Sequence, residues 1–370
     1  MIHKYYETYW CSSRKKKYSI LTGVKEYKEI YMNIMASPLL LTIAIPTFNR
    51  VDCLRLLVES VMAQVDEQEV LGIKLQILIC NNASTDGTSN YLSGLMIIPG
   101  IKIYHHEVNC GADSNIVSCC ELADGKYVWI VGDDDFPMSG TLKPLLEFLE
   151  VQSPDLVYLP ARWEEGDLTG FIDIKPISME MIQVHSKGLA VRSNIYVTFI
   201  SSWIMNMDRY RKVAAPDYGR FIGTSLAQLE WIFSLFSHGE RFFLARENMI
   251  FARSGNSGGY TVFDVFSKNY NRIVDDIFVS NISMKLFFRR CMLWCFIPGL
   301  IWGVRKNTLG KFEKFDSAKV FPILQCEYSN DKFFNWLVVP IMRFHPRLAH
   351  YFWKMTRVIS KGWLFMLRQK

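Results

Sequence analysis

Tyr127-Val128-Trp129-Ile130-Val131-Gly132-Asp133-Asp134-Asp135 decides the reading of this chain. Five apolar residues run without polar interruption, then a glycine, then three carboxylates. An unbroken apolar run of that length is a strand covered on both faces, as in a parallel sheet. The same texture recurs upstream. Residues 39–45 are a continuous apolar strand that stops at Pro46, and residues 75–80 are another, ending in the polar turn 81–87. A shorter strand, 101–104, leads into the loop 109–113. Between them lie helical stretches. The first has Asn49 as its expected N-cap and an apolar face of Leu54, Leu57, Val58, Val61, Met62 and Val65. The others start near Thr88 and Ser114. Strand, polar loop and helix in repetition predict an α/β fold, a mainly parallel mixed sheet with helices on both faces. Ligands of such sheets sit beyond the carboxyl ends of the strands. Thr47/Asn49/Arg50, Asn81/Asn82/Asp86 and Asp133/Asp134/Asp135 are therefore expected to share one cleft.

Half of the 370 residues are hydrophobic, enough to fill a core and exclude disorder as the main state. No run reaches the about 20 apolar residues of a helical span. The longest uncharged C-terminal run, 291–304, is shorter and is expected to be broken at Pro298-Gly299. Nine scattered cysteines, none in C-x-x-C spacing, fit neither a zinc site nor a disulfide framework. With no apolar h-region in the first 17 residues, they point to a reduced, cytoplasmic protein. Residues 1–37 read as an N-terminal extension, 38–260 as the catalytic domain and 261–370 as a helical, basic and aromatic region. Met35 stands just before the first core strand, so residues 1–34 are expected to be dispensable.

Three adjacent carboxylates repel unless a cation or hydrogen-bond donors offset them. Hard oxygen ligands suit Mg²⁺ or Mn²⁺ shared with substrate phosphates. The first strand is followed by Pro46-Thr47-Phe48-Asn49-Arg50 rather than a Gly-rich fingerprint, which counts against a nicotinamide enzyme. There is also no P-loop and no G-x-S-x-G elbow.

The set Ala44-Ile45-Pro46-Thr47-Phe48-Asn49-Arg50, Asn82-Ala83-Ser84-Thr85-Asp86-Gly87-Thr88, Asn109-x-Gly111 and the run 127–135 resembles glycosyltransferase family 2, in order and in spacing, over about residues 38–150. Residues 109–115 and 221–225 resemble the branch of O-antigen transferases that includes the abequosyltransferases. The resemblance implies the GT-A fold, a nucleotide-sugar donor and inverting transfer. It puts Pro46, Thr47, Asn49 and Arg50 near the nucleotide. In the family an Asp closes the second strand and meets the pyrimidine; here Asn81 stands there, which suits cytidine as well as uridine. The first Asp of the family's D-x-D-D pattern aligns with Gly132. The metal role then falls on Asp134 and Asp135, and ribose or sugar contacts on Asp133 or Asp113. The catalytic base is expected at Glu230, with Asp217 as the alternative; the family's usual Glu-Asp pair is absent. Arg253 is a candidate for a pyrophosphate oxygen. His105 and His106, adjacent in a strand, point to opposite faces and do not form a metal pair.

Residues 332–370 carry eight basic side chains and no Asp or Glu, against a net charge of +6 for the whole chain. With Trp294, Trp302, Trp336, Trp353 and Trp363 they suggest a monotopic contact with an anionic membrane surface. No nucleic-acid module accompanies the charge. The resulting expectation is an inverting transferase on the inner face of the membrane, acting on a lipid-linked saccharide in surface polysaccharide (O-antigen) assembly. Its rivals are a sugar-1-phosphate nucleotidyltransferase and an inactive transferase-like scaffold.

Overall fold

The computed structural model describes residues 39–65, 74–166, 170, 174–176, 178–213, 217–254, 261–306 and 316–369. Residues 1–34, expected to be dispensable, and Met35 lie outside them. Eleven strands follow in chain order: β1 (Leu41–Thr47), β2 (Leu75–Asn81), β3 (Ile101–His105), β4 (Tyr127–Ile130), β5 (Phe136–Pro137), β6 (Leu156–Tyr158), β7 (Ala161–Glu164), β8 (Met181–Val184), β9 (Trp203–Asn206), β10 (Phe242–Ala245) and β11 (Ile250–Arg253). Eight of them form one sheet in the order β3-β2-β1-β4-β9-β6-β10-β8. β1 to β4, β6 and β10 run one way, with β8 and β9 against them. A second sheet, β5-β11-β7, crosses near the acidic turn.

The unbroken apolar runs have the expected cause. Along β1, Leu41, Ile43 and Ile45 enter the core on one face while Ala44 enters the core on the other. Along β4 and its end, Tyr127, Trp129 and Val131 alternate with Val128 and Ile130 in the same way. Helices Val51–Met62 and Leu142–Gln152 cover the first face; helices Ala112–Glu121 and Leu229–His238 cover the second.

Several details depart from the sequence reading. β1 continues through Pro46 to Thr47, pairing Pro46 with Cys80. Asn49 is not an N-cap. Helix Val51–Met62 is preceded by Arg50, and Asn49 takes a left-handed φ of 53°. Asn tolerates that region, and its Oδ1 accepts the Thr85 N–H at 2.7 Å, tying two loops together. Residues 39–370 form one compact unit, so residue 260 marks a change of texture and not the edge of a separate body. The core that begins at Ala44 continues without a break to Phe288, Ile301 and Ile341.

The apolar C-terminal run is not broken at Pro298. Ile282–Arg305 is a continuous helix of 24 residues, long and apolar enough to cross a membrane, but 61% of its most apolar stretch is buried in this fold. Its middle, Cys291–Phe296, is a π-helical turn immediately before Pro298. Widening the turn there accommodates a proline that has no N–H and crowds the preceding carbonyl. Phe334–Val338 is a second such turn, placed before Pro340.

The tryptophans expected at a membrane interface mostly face inward. Trp294 stacks on Phe333 with centroids 4.7 Å apart and meets Trp363 at 5.2 Å; Trp302 stacks on Trp353 at 5.5 Å. Of the five, Trp336 alone is largely exposed, at 72%. Apolar rings gain more from mutual burial on the sheet's helical cover than from solvent. Removing residues 332–369 would strip Phe334, Val338, Ile341, Met342 and Ala349 from the core. That is on the order of 10 kcal/mol of apolar burial, comparable to the whole stability of a domain. The truncated chain is expected to lose its cooperative thermal transition, read by circular dichroism; a sharp melt near that of the full chain would contradict this packing.

Candidate active site

The carboxyl ends of β1, β2 and β4 meet as the strand pattern requires. Thr47 Oγ1 donates to Asp133 Oδ2 at 2.7 Å. Arg50 Nη1 lies 3.1 Å from Asp133 Oδ1 and 3.1 Å from Asp134 Oδ2, bridging the two carboxylates. Burial opposes the charge on Arg50, but Asp133 and Asp134 outweigh it and raise its pKa. Asp135 is held from elsewhere. Ser201 Oγ donates to its Oδ2 at 2.6 Å, and the Arg253 backbone N–H to its Oδ1 at 3.2 Å. The second sheet thus has a purpose: β11 delivers Arg253 to the end of β4. The Arg253 guanidinium turns to Cys53 Sγ, 3.5 Å away in the first turn of helix Val51–Met62.

Burial raises the Asp133 carboxyl to about 6, with Arg50 pulling it down and Asp134 pushing it up. Burial, then Asp134, holds the Asp135 carboxyl well above the ordinary range. Gly132 explains how these groups come so close. A Cβ at that position would lie 3.1 Å from Asp135 Oδ2 and 3.4 Å from Asp134 Oδ1. A glycine there leaves the space that both carboxylates border.

That convergence fits a divalent cation. Among the described residues no group of three or more His, Cys, Asp or Glu is arranged to hold a metal. Mg²⁺ bound by substrate phosphates, however, asks for only one or two carboxylates. Asp134 and Asp135, neighbouring carboxylates of which Asp135 has a raised pKa, are the residues that would hold such a cation.

Asn81 does not offer its amide to a base. It is 1% exposed, its Oδ1 accepts the Ser84 N–H at 3.1 Å, and its Nδ2 lies 3.3 Å from Ser89 Oγ and 3.1 Å from His105 Nδ1. Its amide is spent on shaping the loop. Asp113 is likewise turned away from the sugar contact expected of it. Its Oδ2 accepts the N–H groups of Gly223 and Ser225, each at 2.8 Å, and its Oδ1 that of Ala227 at 3.5 Å. Gly223 and Ser225 have φ of 87° and 60°. Such turns aim backbone N–H groups at one anion, here the chain's own carboxylate. Asp113 therefore anchors the segment leading into helix Leu229–His238. Asp113→Ala would take the shared acceptor from these N–H groups, two on exposed Gly223 and Ser225 and one on buried Ala227, and should cost roughly 1–3 kcal/mol, measured by urea unfolding. A cost under about 0.5 kcal/mol, the level of a surface substitution, would contradict the anchor.

Glu230 sits in the first turn of that helix, 3% exposed. Its Oε1 is 3.4 Å from both Tyr210 Oη and Ser234 Oγ; its Oε2 has no hydrogen bond and lies 3.8 Å from Arg220 Nη1. Burial raises its pKa, Arg220 lowers it and Asp217 raises it. The two candidate bases thus share one neighbourhood, with Asp217 exposed and Glu230 sealed. No direct contact joins Glu230 to the aspartate cluster among the described interactions. The link runs through Asp113 and the loop 109–111, which Asn82 ties to β1: its Nδ2 donates to Asn109 Oδ1 at 3.0 Å and its backbone N–H to Thr47 O at 3.0 Å.

Sequence reasoning missed Ser201, Asn82 as the knot of the loops, and the backbone of Arg253 as a partner of Asp135. No motif surrounds Ser201. Its place follows from the reversal of chain direction between β6 and β9.

Residues 42–208 match the family model Glycosyl transferase family 2. The chain is 26% identical over 284 residues to abequosyltransferase RfbV of Salmonella typhimurium, covering 69% of this chain and 80% of that protein. It is 28% identical over 116 residues to an uncharacterized glycosyltransferase of Mycoplasma genitalium, covering 31% and 38%. The crystal structure of residues 1–349 of S. aureus TarS superposes with a TM-score of 0.56 at 15% identity, covering 88% of this chain and 92% of that one. The same protein solved with UDP-GlcNAc also gives 0.56. At that identity the likeness shows the fold, which is GT-A.

Proposed function

We propose that this glycosyltransferase moves a sugar, with inversion, from a nucleoside-diphosphate donor to a lipid-linked saccharide in surface polysaccharide (O-antigen) assembly, as a peripheral protein on the inner face of the cell membrane. The observation that carries the donor reading is the meeting of Thr47, Arg50 and Asp133–Asp135 beyond parallel strand ends. The similarity to an abequosyltransferase supports sugar transfer, and a TarS structure with UDP-GlcNAc supports a nucleotide-sugar donor.

In this reading Arg50 and Thr47 orient Asp133 toward the nucleotide. Mn²⁺ or Mg²⁺, held by Asp134 and Asp135, would supply Lewis-acid stabilisation of the departing diphosphate. The acceptor hydroxyl attacks the anomeric carbon as a carboxylate takes its proton. Glu230 is that carboxylate: burial strengthens it as a base, and Oε2 has no hydrogen bond. The exposure of Asp217 favours it as the second reading.

A thermal-shift screen of UDP-, CDP- and other nucleotide sugars, with and without Mn²⁺, tests the donor. A bound donor at 100 times its Kd stabilises by about 2.7 kcal/mol, and the shift should require the cation. No shift with any nucleotide sugar would count against the reading.

A further inference from the structure

Helix Pro346–Arg368 spans 23 residues, about 34 Å at 1.5 Å per residue. One side of it is fixed: Ala349, Thr356 and Ser360 are buried against the body, and Trp353 and Trp363 join the aromatic contacts described above. The other side has no partner among the described residues, although it is apolar. Leu348 is 54% exposed, Tyr351 65%, Met355 48%, Val358 72% and Phe365 62%. Their spacing alternates between three and four residues where Gly362 fills the missing step, so they form one continuous stripe that winds slowly around the helix. Immediately beside the stripe stand Arg347, Lys354, Lys361 and Arg368, repeating every seventh residue and all exposed. A seven-residue repeat drifts by only about 20° per heptad around the helix, as does the apolar row, so the two run side by side along its length.

We propose that this face is a membrane-docking surface for an anionic bilayer, with the helix lying in the plane of the membrane, the stripe in the acyl boundary and the file of cations in the head groups. Charge chooses the occupant. A second copy of the helix would bring four more cations to the seam and, with no Asp or Glu anywhere in residues 332–370, nothing to pair with them. Phosphate head groups pair with every one. An uncharged apolar partner would leave the cation file without a function. Because the opposite side is packed on the core, the helix lies along the surface and cannot insert end-on. The proposal rests on the membrane-bound part of the reading above and replaces tryptophan anchoring with this outward stripe.

The test is co-sedimentation of the full chain with vesicles of phosphatidylcholine alone or with phosphatidylglycerol. Binding is expected only to the anionic vesicles. Lys354→Gln with Lys361→Gln should weaken it about thirtyfold, at about fivefold per cation. Val358→Asp with Phe365→Asp should abolish it. All four positions are exposed, so circular dichroism melts should match the parent chain, and cation-dependent cleavage of a soluble donor should be unchanged. That last arm separates the two readings: loss of vesicle binding with cleavage intact touches only the surface. Equal binding to neutral and anionic vesicles, no binding at all, or a solution dimer that Val358→Asp with Phe365→Asp turns into monomers would overturn the proposal.

Discussion

Asp134→Asn should abolish the Mn²⁺-dependent part of donor binding and lower kcat/KM by at least about a hundredfold, since a Lewis acid at the leaving group is worth several kcal/mol. The fold should persist. Asp134 is a cause of the raised pKa of buried Asp135, so neutralising it relieves repulsion, and Arg50 keeps Asp133 as its partner. The melting temperature is therefore expected to be no lower than that of the parent chain. Asp135→Asn should lose the same activity while also disturbing the Ser201 hydroxyl and the Arg253 N–H that point at it. Measuring donor-induced thermal shifts with Mn²⁺, with Mg²⁺ and with EDTA checks both variants. Undiminished transfer by both would remove the cation from this site.

The second large effect belongs to Glu230→Gln. Loss of a general base costs about 10²–10⁴-fold in turnover, while donor affinity should hardly change, because the base acts on the acceptor in the transition state. Stability should move the other way. Burial raises the folded-state pKa of Glu230 above its value in the unfolded chain. Its contribution is fully present below the unfolded pKa and is lost as pH rises through the folded one. Gln cannot ionise, so the variant should gain stability over the parent chain at neutral and alkaline pH, and the difference should shrink in acid. A loss of turnover in Asp217→Asn, with full activity in Glu230→Gln, would transfer the role to Asp217.

How far the residues alone disclose this site can be judged element by element. β1, β2 and β4 were legible because burial on both faces leaves an unbroken apolar run, and their carboxyl ends had to share a cleft. The acidic triplet was legible as a charge problem needing a solution. The solution was only half visible: Arg50 belongs to the adjacent motif, but Ser201 arrives from the short 3-10 turn before β9 and the Arg253 N–H from β11, neither of which sequence order places. Asn81 and Asp113 have the chemistry of ligand contacts, and the loops spend that chemistry internally. Residue type declares what a group can bond; the surrounding backbone decides whether the bond is already made. Gly132 looked like a missing carboxylate and is instead the space in which two others meet. Near the C-terminus, the tryptophans and cations were visible, but which helix face each would occupy depended on packing against Ile282–Arg305. That helix itself ran past Pro298 by widening a turn, which no periodicity of apolar residues announces.

The cleft at Thr47, Arg50 and Asp133–Asp135 is expected to handle a nucleoside-diphosphate sugar with a divalent cation. The most direct measurement is release of nucleoside diphosphate from UDP- and CDP-sugars by the full chain, with Mn²⁺ and with EDTA. The account predicts release from at least one donor with Mn²⁺, suppressed by EDTA and lost in Asp134→Asn. Release that is equal in EDTA and in Asp134→Asn, or none from any donor by a chain that melts cooperatively, would contradict it.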